Sequence, residues 1–402
     1  MSNKRTNYAI NSIRTVAAFA VVTSHLRALY FVDFSDSPST DVVTRGFYLV
    51  TSLGHQAVIV FFVLSGFWVG GSVIRSMTQQ SFTWRRYGIS RLSRLWLVLV
   101  PAVILTQLLD RVGTWLSPDS HVYSGSPSYH GVIPSDGATN HLGLLESIGN
   151  VLFVQSIHVE TLGTNSPLWS LAYEFWYYLL FPLALLALSR RTRTLTRVAL
   201  IVVLAVAALI AGPEVLALFP AWILGALLAW QARRIRTSLE RLNRITLNLC
   251  RLVALTLTFG AAAFSSAAEN NVYLEDLLIA VPTLFLLATF LIDARDGRLT
   301  SLALRPLSNA AEWSYSLYAI HVPILTIFAA LVVPLATERW SLSPSTLAWF
   351  ILLAAGTGLA GFLFSLATER QTGKVRSLVD EATRRASTAH PDRESTRSLD
   401  LR

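Results

Sequence analysis

Charge and cysteine are what this sequence has least of. Charged residues are 14% of its 402 positions and hydrophobic residues 53%, where an ordinary soluble domain carries roughly 25% charged residues. With a mean hydropathy of +0.50, that scarcity excludes a soluble globular class. The one cysteine, Cys250, forms no intramolecular disulfide, and its apolar neighbours mark it as a packing residue. No Cys/His spacing suits a metal, so no metal and no permanently bound cofactor is expected. A cleavable signal is also lacking: the apolar run 10–30 is long, is interrupted by Arg14 and His25, and has no small-x-small exit. No inverted repeat of the kind found in many transporters is visible.

What is present is a series of apolar runs near the roughly 20 residues that cross a bilayer. They are 10–30, 54–74, 92–109, 168–188, 198–211, 215–232, 247–266, 277–292, 313–333 and 347–366. The fifth and sixth are separated only by Gly212-Pro213, a turn-forming pair. The run 149–159 is too short to span and suits an interfacial or re-entrant segment. The fold class expected is therefore an all-α integral membrane protein, a bundle of about ten transmembrane helices.

The net charge of +9 is informative through its distribution. With the N-terminus inside, the inner segments hold Lys4 and Arg5, Arg75 to Arg94, Arg190 to Arg197, Arg233 to Arg244, and Arg295 to Arg305. The outer loops hold Arg45, Arg111 and Arg339. This bias expects both termini in the cytoplasm, lipid bilayer as the surroundings, and no nucleic-acid partner. Residues 1–369 read as one transmembrane domain with a long outer loop at about 111–167. Residues 370–402 read as a flexible cytoplasmic tail.

Ionisable groups inside spans are functional candidates by default. Arg14 and His25 are eleven residues apart, about 20° beyond three turns, so they share a helix face roughly 16 Å apart. Ser314 and His321 share a face in the same way, and Pro323 after the histidine loosens the local hydrogen-bond ladder. Glu174 falls in the first turns of the span opened by Pro167, where it could orient an imidazole, bind a hydroxyl, or only favour the helix N-terminus. The inner segment 84–94 carries Arg86, Arg91 and Arg94, which suit lipid headgroups or phosphate oxygens. The loop histidines His121, His130, His141 and His158 read as solvated. His55 could face His25 across the bundle.

Five segments in order resemble one family, the acyltransferase 3 family of membrane-bound O-acyltransferases. They are Arg14 with His25; Val58-Ile59-Val60-Phe61-Phe62-Val63-Leu64-Ser65-Gly66-Phe67; Arg91-Leu92-Ser93-Arg94 before Pro101; Leu168-Trp169-Ser170-Leu171 with Glu174; and Ser314-Tyr315-Ser316-Leu317-Tyr318 with His321. Two departures stand out. Phe175 follows Glu174 where the family often has a second acid, and Ala57-Val58-Ile59 carries no charge.

The resemblance implies transfer of an acyl group, most often acetyl, from cytoplasmic acyl-CoA to a hydroxyl of an extracytoplasmic glycan, in a bacterial inner membrane. It implies a catalytic His25, with Arg14, Arg91 and Arg94 in acyl-CoA use; the neighbouring Arg86 is added as a further phosphate contact. Ser65, Trp169, Ser170, Ser314, Ser316, Tyr318 and His321 are expected to support the site, with Glu174 or Ser316 orienting the imidazole. His25 would act as general base or as transient acyl carrier, since imidazole titrates near neutral pH. The same fold acylating a macrolide or other small metabolite is an alternative, and a glycan or proton-coupled transporter is an alternative of another class. Acyl identity, acceptor and oligomeric state are left open by the sequence. Purified His25→Ala protein is expected to lose acyltransferase activity; full activity would exclude both roles for this residue.

Overall fold

The computed structural model describes residues 4–129, 131–267, 272–291 and 298–388. His130, the stretch 292–297 with Arg295, and the chain beyond 388 lie outside the described residues. The described chain is all-helical, with isolated bridges such as Phe31 to Trp340 and no strand.

The helices are, in chain order, α1 (Lys4–Tyr30), α2 (Val42–Thr51), α3 (Gly54–Ser65), α4 (Gly71–Thr78), α5 (Trp84–Leu116), α6 (His121–Ser124), α7 (Leu144–Val151) and α8 (Trp169–Leu188). They continue as α9 (Thr194–Leu239), α10 (Arg244–Ala267), α11 (Val272–Thr289), α12 (Arg298–Ala310), α13 (Ser314–Val332), α14 (Pro344–Ala367) and α15 (Thr372–Thr388). Seven helical stretches among the described residues are long and apolar enough to cross a membrane. They are Gly54–Thr78, Trp84–Leu116, Ser166–Leu188, Thr194–Leu239, Arg244–Ser266, Ser314–Val332 and Pro344–Thr383.

α9 holds both of the expected spans 198–211 and 215–232. Its 46 residues would extend about 69 Å if straight, twice the roughly 30 Å hydrocarbon core. It is broken at Gly212, whose φ is +81°. Pro213 disfavours helical backbone at the residue before it, and glycine alone reaches positive φ at no steric cost.

The basic segment 84–94, which leads into the expected span 92–109, is the start of the same helix. Thr83 caps α5 by accepting from the Arg86 N–H, and α5 then runs on through Pro101. Arg91 and Arg94 therefore sit three apart on one helical face. The segment expected to be a tail begins with α15, which packs along α5 and bonds Arg85 through Thr383.

The tightest crossing lies between α9 and the π-helical turn Gly66–Gly70 that joins α3 to α4. A Cβ on Gly66 would fall 1.8 Å from the Trp222 carbonyl oxygen, and one on Gly225 would fall 2.0 Å from that of Val63. Small residues let two membrane helices approach backbone to backbone. The contact fixes Trp222, whose indole N–H donates to Ser65 Oγ at 3.1 Å.

The long segment between α5 and α8 is tied to the bundle. The Asp110 carboxylate accepts from the Thr164 N–H and Oγ1, each at 2.8 Å. Asn165 donates to Thr106 Oγ1 and the Ala319 carbonyl, each at 2.9 Å. These bonds set where Pro167 and the start of α8 lie. Gly225→Ala is expected to cost about 1–3 kcal/mol by overpacking the crossing, read as a lowered Tm of the detergent-solubilised protein. An unchanged Tm would mean the two backbones are not in contact.

Candidate active site

A cavity of about 390 Å³ lies inside the bundle, lined by Arg14 of α1, Ser65 of α3, Arg91 and Arg94 of α5, Ser170, Glu174 and Tyr178 of α8, and Ser314, Tyr315 and Tyr318 of α13. Apart from Asn11, the rest of its wall is apolar, including Val58, Phe61, Leu95 and Leu171. A shallower hollow shares Arg14 and Arg94 and is bounded by Glu312, Glu369 and Thr372.

Arg14, Glu174 and Arg91 of this chamber each have definite partners. Arg14 pairs with Glu369 at 3.6 Å. Glu369 is held in turn by the Ser316 N–H at 3.0 Å and Ser316 Oγ at 3.2 Å. Glu174 Oε1 accepts from Ser65 Oγ at 2.6 Å and from Tyr178 OH at 2.5 Å. The Arg91 guanidinium lies 5.7 Å from the Tyr87 ring centre and 5.9 Å from that of Tyr178, within cation–π range. Arg91 Nε is buried and has no hydrogen-bond partner among the described residues. Three guanidinium groups face two carboxylates, so the chamber keeps an excess of positive charge.

His25 does not line the chamber. Its Nδ1 sits 2.7 Å from Nε2 of His321, with the rings 5.0 Å apart and 11° from parallel. Nδ1 of His321 is 2.7 Å from the backbone carbonyl oxygen of Tyr318. A carbonyl only accepts, so His321 carries its proton on Nδ1 and offers a lone pair at Nε2. His25 must then donate from Nδ1, which leaves the lone pair on its Nε2. The arrangement has the logic of a base whose tautomer is set by a second group.

Tyr318 connects the two centres. Its hydroxyl meets Ser170 Oγ at 2.7 Å and the Pro167 carbonyl at 3.0 Å. Its ring lines the chamber, 5.8 Å from the His321 ring.

The structure thus gathers most of the residues singled out in the sequence, in two groups. Arg14, Ser65, Arg91, Arg94, Ser170, Glu174, Ser314 and Tyr318 share the chamber, and His25 and His321 pair beside it. Others lie elsewhere. Arg86 is exposed and off the chamber. The partner of His25 is His321; Glu174 is engaged by Ser65 and Tyr178, and Ser316 holds Glu369. Trp169 stacks near His55, at 6.1 Å, and His55 pairs with Asp276 rather than facing His25. Of the loop histidines, His141 bonds Asp136 and His158 bonds the Ile210 carbonyl.

One chamber residue, Tyr178, and one residue of the adjoining hollow, Glu369, escaped the sequence reading. Tyr178 lies four after Glu174, the spacing that places side chains together on a helix. Glu369 had no such signal, since it follows the last apolar run and reads as the edge of a tail.

The acyltransferase domain model, that of the acyltransferase 3 family, matches residues 7–365. The chain belongs to this family of membrane acyltransferases. It is similar to acyltransferase MdmB of Streptomyces mycarofaciens, 29% identical over 178 residues, or 44% of this chain and 38% of that protein. The match thus spans less than half of the relative's length. No solved structure matches the chain.

The Arg14–Glu369 pair gives a stability test. Arg14→Met is expected to destabilise by on the order of 2 kcal/mol, below the fully buried range because Arg14 keeps 23% exposure. Adding Glu369→Gln should recover part of the lost Tm, because the stranded charge is then gone. Additive losses would show the two side chains to be uncoupled.

Proposed function

We propose that this chain is an acyl-CoA-dependent O-acyltransferase that acetylates a hydroxyl of an extracytoplasmic glycan from a bacterial plasma membrane. The observation that carries the proposal is the pairing of His25 with His321, which the Tyr318 carbonyl orients, beside a chamber that combines three arginines with an apolar wall. Phosphates of CoA suit Arg14, Arg91 and Arg94, whose forks match phosphate oxygens. The pantetheine arm and a short acyl group suit the apolar wall.

In this mechanism His25 Nε2 takes the proton of the acceptor hydroxyl. The oxygen attacks the thioester carbonyl, the C–S bond breaks, and the CoA thiolate leaves and recovers the proton from the imidazolium. Glu174 acts on the donor side, holding Ser65 and Tyr178 near the arginines, and Arg86 takes no part in donor binding. His25 as a transient acyl carrier is the second reading. It is favoured by the position of Tyr318 between chamber and imidazole, which keeps the two substrates apart.

Ten crossings with both termini cytoplasmic complete the proposal. α1, α11 and the two halves of α9 would join the other long helices as spans. The arginine bias and the Gly212 break support this count.

Acetyl-CoA with the purified protein in proteoliposomes tests the donor side. Arg94→Ala is expected to raise KM for acetyl-CoA about 10- to 100-fold, as loss of a charged hydrogen bond does. His321→Ala should instead lower kcat by about 100-fold, because His25 loses its fixed tautomer. Wild-type protein that neither releases CoA nor adds an acetyl mass to surface glycans would sink the proposal. An unaltered KM in Arg94→Ala would remove the chamber as donor site.

A further inference from the structure

The chamber and the histidine pair leave one polar cluster unused. It lies at the end of the bundle where α3, α8 and α11 begin. His55 Nε2 meets Asp276 Oδ1 at 2.9 Å. The His55 ring lies 6.1 Å from the Trp169 ring and 19° from parallel, and Trp169 stands edge-on to Tyr173 at 4.9 Å. The Tyr173 hydroxyl donates to Glu214 Oε2 at 3.2 Å, just past the break in α9. The Asp276 side chain is 1% exposed, yet its Oδ2 has no hydrogen-bond partner among the described residues. A buried carboxylate oxygen without a donor is costly and is available to accept from a ligand hydroxyl.

Sequence neighbours of the cluster touch the helices that carry the histidine pair. A Cβ on Gly54, the neighbour of His55, would fall 2.6 Å from Ser24 Cβ, the neighbour of His25. Ser170, the neighbour of Trp169, bonds Tyr318, whose carbonyl holds His321.

We infer that His55, Trp169, Tyr173, Glu214 and Asp276 form a saccharide-binding site; that its occupant is the acyl acceptor rests on the function proposed above. A sugar ring offers adjacent hydroxyls, which ionised carboxylates accept. It also offers a C–H-lined face, which suits the electron-rich face of the half-buried Trp169. No three acids and imidazoles among the described residues are grouped to hold a metal ion, so a ligand that spans from Asp276 to Glu214 is the better fit.

The test is saturation-transfer NMR on the full chain in detergent, with methyl hexopyranosides as probes, cyclohexanol as a lone-hydroxyl control, and acetyl-CoA titrated into the same samples. Wild-type protein is expected to saturate the glycosides more strongly than cyclohexanol. Asp276→Asn and Trp169→Ala should each weaken that signal about tenfold, the effect of losing a charged hydrogen bond or a stacking face. Acetyl-CoA binding should stay as in wild type. Glu214→Gln, at an exposed position, gives a second carboxylate variant if Asp276→Asn does not fold by Tm, and the same loss is expected of it. No glycoside signal in wild type, a signal unchanged in the folded variants, or cyclohexanol matching the glycosides would overturn the site. Glycoside binding that is lost in the variants, with no acetyl-CoA binding at all, would instead overturn the donor reading and leave this site standing.

Discussion

Three guanidinium groups inside an apolar bundle are the constraint on which the rest of the site depends. Each costs several kcal/mol to desolvate, and partners must offset that cost. The chamber answers with Glu369 on Arg14, Glu174 nearby, and two tyrosine rings on Arg91. The carboxylates are fixed in turn by Ser316, Ser65 and Tyr178. The polar residues of five helices are thereby committed to one place. The compensation is incomplete, because positive charge exceeds negative and Arg91 Nε has no partner among the described residues. A site neutral overall would have no electrostatic reason to take a phosphate.

Backbone proximity makes this arrangement possible. The Gly66 and Gly225 crossing brings α9 within reach of α3, and so sets Trp222 on Ser65 and Ser65 on Glu174. A single methyl group at either glycine would push a carbonyl oxygen out of contact. The electrostatics of the chamber thus rest on two positions that carry no charge.

The site has two centres, and Tyr318 belongs to both. Its ring and hydroxyl close the chamber against Phe61 and Ser170, and its carbonyl sets the tautomer of His321. In the proposed reaction this makes Tyr318 the boundary between donor and base. Any rotation of that ring would leave its carbonyl, which is part of the helix, in place. Access can therefore change without disturbing the proton order of the histidines.

The sequence by itself determined the membrane class, the all-helical fold, the family, and most of the chamber residues. Hydropathy marks helices because every backbone polar group in hydrocarbon must be satisfied within its own segment. Ionisable residues stand out because apolar surroundings make them expensive. Arg14, Arg91, Arg94, Glu174, His25 and His321 were legible on those grounds and through the family motifs. Partnership was not. That His25 pairs with His321 rather than Glu174 or Ser316, that Glu369 closes onto Arg14, and that His55 turns to Asp276 depend on contacts between residues far apart in sequence. Helical periodicity reports which residues share a face of one helix. It carries no information on which helix that face meets, and only the packing of the bundle decided it.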